Sequence, residues 1–571
     1  MRLINPNVLL CAITTVLCGC ATTTPNSATP AAPNPVTPAD YYGTLHPFAA
    51  EAVYFVVIDR FVNGDPGNDY RDQGGANRSF DRPMRCPDGI IDNTGYLGGD
   101  FRGLLNHADY IREMGFSSVW ITPIVDNPDE AFTGGDTITC TSILTDRGKA
   151  GYHGYWGTNF YKVDEHLPSP GLEFSDLTRE LRQKGLKTVL DIVANHGSPG
   201  YSMPAAQSGF GKIYAADGSL LADHQNLPPD QLDPEHEPLH RFFNKDGNLA
   251  QLADLNGSNP AVMDYLAGAY LQWIDQGAYA FRVDTVPYQP TTFWKEFASR
   301  IRAKHPDFFM FGEVFKFTAD ELAPFTWPES GALSVLDFPL KTAMAEVFPN
   351  PGSDYARIAK VLYVESGPYQ NPYELATFYD NHDMARMQAS DEGFIDAHNW
   401  LFTARGIPVI YYGSEIGFMR GRVEHAGNRN YYGVENIAAA ANHPIRQQLA
   451  RIAKLRASSP ALQRGLQLNL QFDGQRAAFL RVYQHEGLTQ TALVLLNKGG
   501  AAANFSFEAL PVGHWRSALA ESAMQVDARQ PIDISVAAHD VAVWLLDTPI
   551  IESRWIAKLD RLMTRSVHRE N

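Results

Sequence analysis

TVLDIVANH, residues 188–196, is a β-branched and aliphatic run that stops on an Asn and a His. Residues 188–193 read as a short strand. Seven more β-rich runs, at 53–59, 118–121, 280–283, 309–312, 334–336, 375–379 and 409–411, alternate with segments such as 104–114, 172–184, 261–274 and 293–304. In those segments apolar residues recur every three or four positions, as on a helix face. Eight such units predict an α/β fold, a (β/α)8 TIM barrel with its chemistry at the C-terminal ends of the strands. Residues 195–256, rich in Gly, Pro, Asp and His, are too long for an ordinary connection and are expected to form an inserted domain after the third strand. The barrel then takes 48–194 and 257–460. Over 461–549 the pattern changes to runs at 466–472, 478–483, 491–497 and 541–546, which predicts a C-terminal antiparallel β-sandwich. Residues 550–571 end the chain as a helix and tail. Its apolar face, Trp555, Ile556, Leu559, Leu562 and Met563, flanked by Arg554, Lys558, Arg561, Arg565 and Arg569, is expected to pack on the sandwich.

The chain has 571 residues, 44% hydrophobic and 19% charged, a composition that excludes a disordered or fibrous protein. Its 47 Lys and Arg against 64 Asp and Glu give a formal charge of −17, the wrong sign for a phosphate-neutralising surface, so no nucleic-acid partner is expected. Near the N-terminus, Arg2 precedes an apolar stretch over 8–17, shorter than the about 20 residues that span a bilayer. With Leu17-Cys18-Gly19-Cys20 it resembles a bacterial lipobox. That resemblance implies a signal over 1–19 and lipidation of Cys20, hence an exported periplasmic or cell-surface lipoprotein held to a membrane by its lipid. Residues 20–47, rich in Pro, Thr and Ala, read as a linker. Cys86 and Cys140 remain as an even pair in an oxidising compartment, and sequence alone leaves open whether they are joined.

Four strand ends carry the candidate chemistry: DIVANH at 191–196, FRVD at 281–284, FGE at 311–313 and FYDNHD at 378–383. A barrel gathers such ends around one pocket. Two carboxylates flanking a bond are what acetal hydrolysis needs, one as acid and one as nucleophile. Arg282, two residues from Asp284 on the same side of its strand, is placed to hold that carboxylate ionised. Glu313 shares that pocket with Asp284 and Asp383, carboxylates whose charge would favour its protonated form.

DIVANH, FRVDTV, FGEVF and FYDNHD, in this order, resemble the four signature regions of the α-amylase family, glycoside hydrolase family thirteen. The resemblance implies a retaining α-glucosidic enzyme acting on α-glucans, with Asp284 as nucleophile, Glu313 as general acid/base and Asp383 as transition-state stabiliser. It also makes His196 and His382 sugar-hydroxyl partners. YHGYW at 152–156 is similar to the loop whose Tyr stacks on the reacting glucose, which assigns Tyr155 to stacking and His153 to hydrogen bonding. LADLN at 252–256 looks like the family's fifth region in the form found in cyclodextrin glucanotransferases, with Asp254 and Asn195 expected to bind a structural Ca2+. A second Ca2+ site is suggested by Asn63, Asp65, Asn68, Asp69, Gly98 and Asp100, which resemble the N-terminal calcium loop of those enzymes. Departures bear on specificity: Pro287-Tyr288 replaces the usual Lys-His after the nucleophile, and Ala250 stands where cyclising relatives carry an aromatic ring. Hydrolysis of α-1,4 bonds is therefore the expected activity, against a cyclomaltodextrinase or glucanotransferase and, in another class, a non-catalytic glucan-binding lipoprotein.

Overall fold

The computed structural model describes residues 40–207 and 209–567, so the expected signal, Cys20 and residues 20–39 of the linker lie outside the described residues. Eight parallel strands follow in chain order: β1 Val53–Val56, β2 Ser118–Ile121, β3 Lys187–Ile192, β4 Ala278–Val283, β5 Phe309–Gly312, β6 Ser334–Val335, β7 Ala376–Thr377 and β8 Ile407–Tyr411. From β1 to β6 each strand pairs with the next, β8 lies between β7 and β1, and a parallel bridge from Leu336 to Ala376 closes the remaining seam. The result is the expected barrel. Its interior is aromatic: Phe55 stacks on Trp120 at 3.9 Å and on Tyr411 at 5.2 Å, and Trp120 meets Phe311 edge-on at 5.6 Å. These large rings fill the bore beneath the strand ends, so polar side chains above them stand on a packed, water-excluding floor.

The helices are α1 Phe101–Asn106, α2 Ala108–Glu113, α3 Phe174–Gln183, α4 Pro260–Asp275, α5 Thr291–Lys304, α6 Phe338–Val347, α7 Asp391–Thr403 and α8 Pro444–Ala457. Residues 104–114, expected as one helix, break at His107. Its ring Nδ1 sits 2.9 Å from the Gly103 carbonyl oxygen, the acceptor its own amide would have used, and that amide turns to Leu104 instead. The first strand also ends earlier than expected, at Val56, and Ile58–Phe61 turn into a helical loop around the buried Asp59–Arg60 ion pair.

Three excursions leave the face at the C-terminal ends of the strands. After β3, the strands His196–Pro199 and Leu252–Asp254 pair antiparallel, and Lys212–Tyr214 pairs with Leu220–Asp223, forming the inserted domain. After β1 comes the hairpin of Pro83–Arg85 and Ile91–Asn93, and after β2 a ribbon of Val125–Asp126 with Asn159–Val163. A disulfide between Cys86 and Cys140 joins these last two excursions.

The C-terminal sheet is ordered β9-β10-β11-β16-β13-β14, from Leu466–Asp473 (β9), Arg476–His485 (β10), Leu488–Asn497 (β11), Gly513–Ser517 (β13), Ala523–Val526 (β14) and Asp540–Leu546 (β16). A second sheet pairs Ala503–Phe507 (β12) with Ile532–Val536 (β15). Helix α9, Ser553–Val567, buries Trp555, Leu559 and Leu562 and packs beside β9, as its apolar face predicts. The stretch read as linker up to 47 is already folded from Tyr41, which bridges to Gln484 on β10 and donates its hydroxyl to Asp560 on α9 at 2.8 Å. Two buried tyrosines, Tyr41 and Tyr42, give this segment the apolar anchor that the preceding residues lack.

Candidate active site

Sheet register builds the centre of the pocket. Arg282 on β4 lies directly across from Asp191 on β3 and Phe311 on β5, so its fully buried guanidinium reaches both neighbouring strands. Nη1 donates to Asp191 at 2.8 Å and to Asp284 at 2.7 Å, and Nη2 lies 2.9 Å from Glu313, an ionic contact without hydrogen-bond alignment. Asp191 also accepts from Trp120 Nε1 at 2.9 Å and from the Tyr155 hydroxyl at 2.8 Å. One cation thus touches three carboxylates. Thr285, immediately after Asp284, is held at a left-handed φ of 48°, a costly conformation for a β-branched residue that turns the chain sharply at the strand end.

Burial pushes the Glu313 carboxyl up to about 8; Arg282 opposes the rise, and Asp383, Asp284 and Asp191 add to it. Glu313 is therefore protonated at neutral pH. The sequence credits the neighbouring carboxylates alone; burial is the larger cause. The Glu313 Oε1 is buried and has no hydrogen-bond partner among the described residues.

Asp383 comes to the same pocket from the loop after β7. His382 Nε2 lies 3.2 Å from its Oδ2, and Arg429 Nη2 binds Oδ1 at 2.6 Å. Arg429 pairs with Glu424 at 3.1 Å, Glu424 with Lys149 at 3.3 Å and Lys149 with Asp146 at 2.9 Å. This chain of alternating charges crosses from the loop after β8 to the loop after β2. Against the burial that opposes it, Arg429 and Lys149 hold Glu424 ionised, well below the usual carboxylate range. Burial raises Asp383, and Arg429 pulls it back.

The imidazoles of His153, His196 and His382 are all buried, and burial lowers the pKa of each, so they are neutral partners at pH 7. Tyr155 lies parallel to His382 at 5.4 Å and near-parallel to His153 at 5.7 Å. The structure thus brings Asp284, Glu313, Asp383, Arg282, Tyr155, His153 and His382 to one pocket, with His196 at the adjoining root of the inserted domain. Sequence reasoning misses Arg429, Glu424 and Lys149, and gives Asp191 no role. Asp191 is visible as a strand-end carboxylate beside Arg282; the other three are isolated loop charges without a local signal.

The expected calcium ligands form two groups. Asn195 is fully buried, its Nδ2 is 3.5 Å from Asp254 Oδ1, and its Oδ1 has no hydrogen-bond partner among the described residues. Burial pushes Asp254 up to about 7, opposed by amide donors from Asn248 and Asn195 and not by a cationic side chain among the described residues. An orphaned amide oxygen beside a carboxylate lacking a counter-ion suits a hard cation, whose remaining ligands would be carbonyls or water, because no group of three His, Cys, Asp or Glu arranged to hold a metal ion occurs among the described residues. In the second group Asn63 donates to Asp69 at 2.7 Å, and Oδ1 of both Asn63 and Asn68 is orphaned among the described residues. Gly98, at φ 85°, allows this approach, since a Cβ there would fall 2.4 Å from Asp69. Asp65 and Asp100 are engaged otherwise: Asp65 accepts from the Gly67 amide, and Asp100 takes the amides of Gly64, Asp65 and Gly103 as the cap of α1. The first group fits a cation better than the second.

Residues 55–452 match the family described as alpha amylase, catalytic domain. A β/α-amylase from Paenibacillus polymyxa is 30% identical over 450 residues, covering 76% of this chain and 32% of that protein, so the chain spans about a third of its length. A cyclomaltodextrin glucanotransferase from Geobacillus stearothermophilus is 29% identical over 535 residues, 88% of this chain and 69% of that one. Among solved structures, an α-amylase from Geobacillus thermoleovorans, complexed with acarbose, aligns with a TM-score of 0.66 at 27% identity, covering 88% of this chain and 99% of that chain. With the barrel, its inserted domain and its strand-end carboxylates in place, the chain belongs to the α-amylase family of glycoside hydrolases and transferases.

Proposed function

We propose that this enzyme hydrolyses α-1,4-glucosidic bonds of starch and maltooligosaccharides with retention of configuration. The observation that carries the reading is the Arg282 guanidinium touching Asp284 and Glu313 at once, with burial keeping Glu313 protonated. Asp284 attacks the anomeric carbon while Glu313 gives its proton to the departing glycosidic oxygen; Glu313, now a carboxylate, then takes a proton from the water that releases the sugar from Asp284. Asp383 faces the positive charge that develops on the ring, held there by Arg429 and His382. Tyr155 offers its ring to the reacting sugar, and neutral His153, His196 and His382 offer nitrogen atoms to its hydroxyls.

Ala250 and Pro287-Tyr288 support water over a sugar hydroxyl as acceptor. Cyclisation needs a long glucan curved so that its far end reaches the intermediate first, and a methyl group provides no ring to wind it on. Maltoheptaose and starch should give linear α-anomeric maltooligosaccharides with cyclodextrins absent or at trace level, followed by NMR and thin-layer chromatography; abundant cyclic products, or transfer outrunning hydrolysis at low sugar concentration, would turn the assignment to a glucanotransferase.

Asn195 and Asp254 would hold Ca2+ where the inserted domain meets the barrel, a structural role that cross-links the two. Chelation should then lower the melting temperature, because a cation bound only to the folded state stabilises it; an identical melting curve after verified metal removal argues against the site. Export with lipidation at Cys20 completes the reading, resting on the N-terminal sequence. Lipid labelling that persists in Cys20→Ser would reject it.

A further inference from the structure

Just past Glu313 the chain presents two exposed rings, Phe315 and Phe317, which touch edge-on at 5.5 Å and both pack on Phe338 at the start of α6. Phe317 is 48% exposed, unusual for a phenyl ring with so many apolar neighbours. Beyond it the surface drops into a cavity of about 390 Å3 between this connection, α6 and residues 356–363. That volume lies within the about 300–1,000 Å3 typical of small-molecule sites.

The cavity has two kinds of lining. Phe317, Pro339 and Ala343 give it apolar surface, and Asp320, Thr342 and Lys360 bring acceptors and donors to it. Glu346 and Arg357, also at the cavity, neutralise each other at 2.8 Å, so no net charge of one sign is offered to an ion. Tyr363 contributes a further wall, held at a left-handed φ of 53° that a bulky side chain rarely adopts. Its ring lies against Gly367, where a Cβ would come within 2.6 Å. A strained backbone and a glycine together place an aromatic ring at a polar-edged cavity. A pyranose has the matching surface, an apolar C–H face to stack on a ring and a hydroxyl edge that needs donors and acceptors alike.

We propose that this cavity is a second α-glucan site outside the catalytic pocket, in which a sugar ring stacks on Phe317 and its hydroxyls bond to Asp320, Thr342 and Lys360. The proposal rests on the α-glucan reading of the catalytic site. Phe317, at the rim of the cavity, follows Glu313 by four residues, which keeps the two within about 14 Å along the chain, a span that a long glucan can bridge. Occupying one raises the effective concentration at the other, a gain that short oligosaccharides do not share.

The full chain carrying Glu313→Gln, which binds without consuming its ligand, is run in native gels containing amylose, with dextran as control. Adding Phe317→Ala should weaken retardation by amylose about five- to tenfold, the loss of one stacked ring, and Phe317→Trp should preserve it. In the otherwise unaltered enzyme, Phe317→Ala should leave kcat/KM on a chromogenic maltotrioside within about twofold while slowing digestion of granular starch. Unchanged amylose retardation in Phe317→Ala overturns the second site. An equal loss on the maltotrioside also overturns it, since the ring would then belong to the catalytic cleft. If Glu313→Gln alone is retarded no more by amylose than by dextran, the α-glucan reading fails and takes the proposal with it.

Discussion

Asp284 and Asp383 face one pocket but are held by different kinds of structure. Asp284 is fixed by three adjacent strands whose register sets Arg282 opposite Asp191 and beside Glu313, so one guanidinium serves the group over a packed aromatic floor. Asp383 hangs from a loop and is reached through a series of ion pairs, Arg429, Glu424, Lys149 and Asp146, contributed by two other loops. Those loops are clasped from outside: the disulfide ties the excursion bearing Lys149 to the hairpin after β1, and that hairpin meets the loop after β8 where Cys86 Sγ lies 3.6 Å from the His425 carbonyl and Asp88 pairs with Arg422. The strand-built half needs no further support, whereas the loop-built half depends on links between distant segments. Damage should therefore be local in the first and graded in the second.

The largest effect belongs to the strand-built half. Asp284→Asn and Glu313→Gln should each lower kcat by at least about 10³-fold with the fold intact by circular dichroism. Near-normal turnover in either would break the assignment. Because Glu313 acts first as an acid and its pKa is raised, kcat/KM should fall as pH rises through about 8. An alkaline limb in the ordinary carboxylate range would show that burial does not protonate it.

An intermediate effect tests the loop-built half. Arg429→Gln takes from the partly exposed Asp383 and Glu424 their shared cation, leaving Glu424 only Lys149, which should cost about 1.5–3 kcal/mol of stability and, through misplacement of Asp383, about 10- to 100-fold in kcat. Lys149→Met, two pairs further from Asp383 than Arg429, should reduce kcat less. Equal losses in thermal and kinetic assays would mean that the charges act separately and not as a graded series.

The smallest kinetic effect belongs to the clasp. Cys86→Ser with Cys140→Ser opens a link spanning 54 residues, which should remove about 2–4 kcal/mol of stability while leaving the pH profile unchanged. A shifted alkaline limb in that variant would show that the clasp reaches the strand-built half as well, and would erase the contrast between the two.

What the sequence discloses follows the same division. Strands carry their own signal: a β-rich run marks the element, and the residue on which it stops lies at the pocket, so Asp284 and Glu313 are legible from the sequence alone. Asp383 and Arg429 are 46 residues apart, and Lys149 and Glu424 are 275 apart. Nothing local joins such pairs, and a single loop Arg or Glu reads as a solvated charge. Four sandwich strands, β12 to β15, are missed. β13 and β14 bury one residue each, Trp515 and Val526, too little to set a period, whereas β12 and β15 do alternate, around Phe505 in one and through Ile532, Ile534 and Val536 in the other, so their signal is present in the sequence. The inserted domain announces itself by its length, but the excursions after β1 and β2, rich in the same turn residues, do not stand out as structural units, and their joining disulfide depends on a proximity that only the folded chain supplies.

The chain's first folded residues also have a mechanical consequence. Tyr41 exchanges both backbone hydrogen bonds with Gln484 on β10, Gly43 donates to Arg464, and the Tyr41 hydroxyl holds Asp560 on the final helix. Tension applied at residue 40 therefore enters the C-terminal sheet and α9 before it reaches β1, which starts only at Val53. The sandwich and its helix are thus the first parts of the fold to take a pull on the N-terminal end, ahead of the Gly43 and Thr44 bonds to Asn371 and Glu374 beside β7.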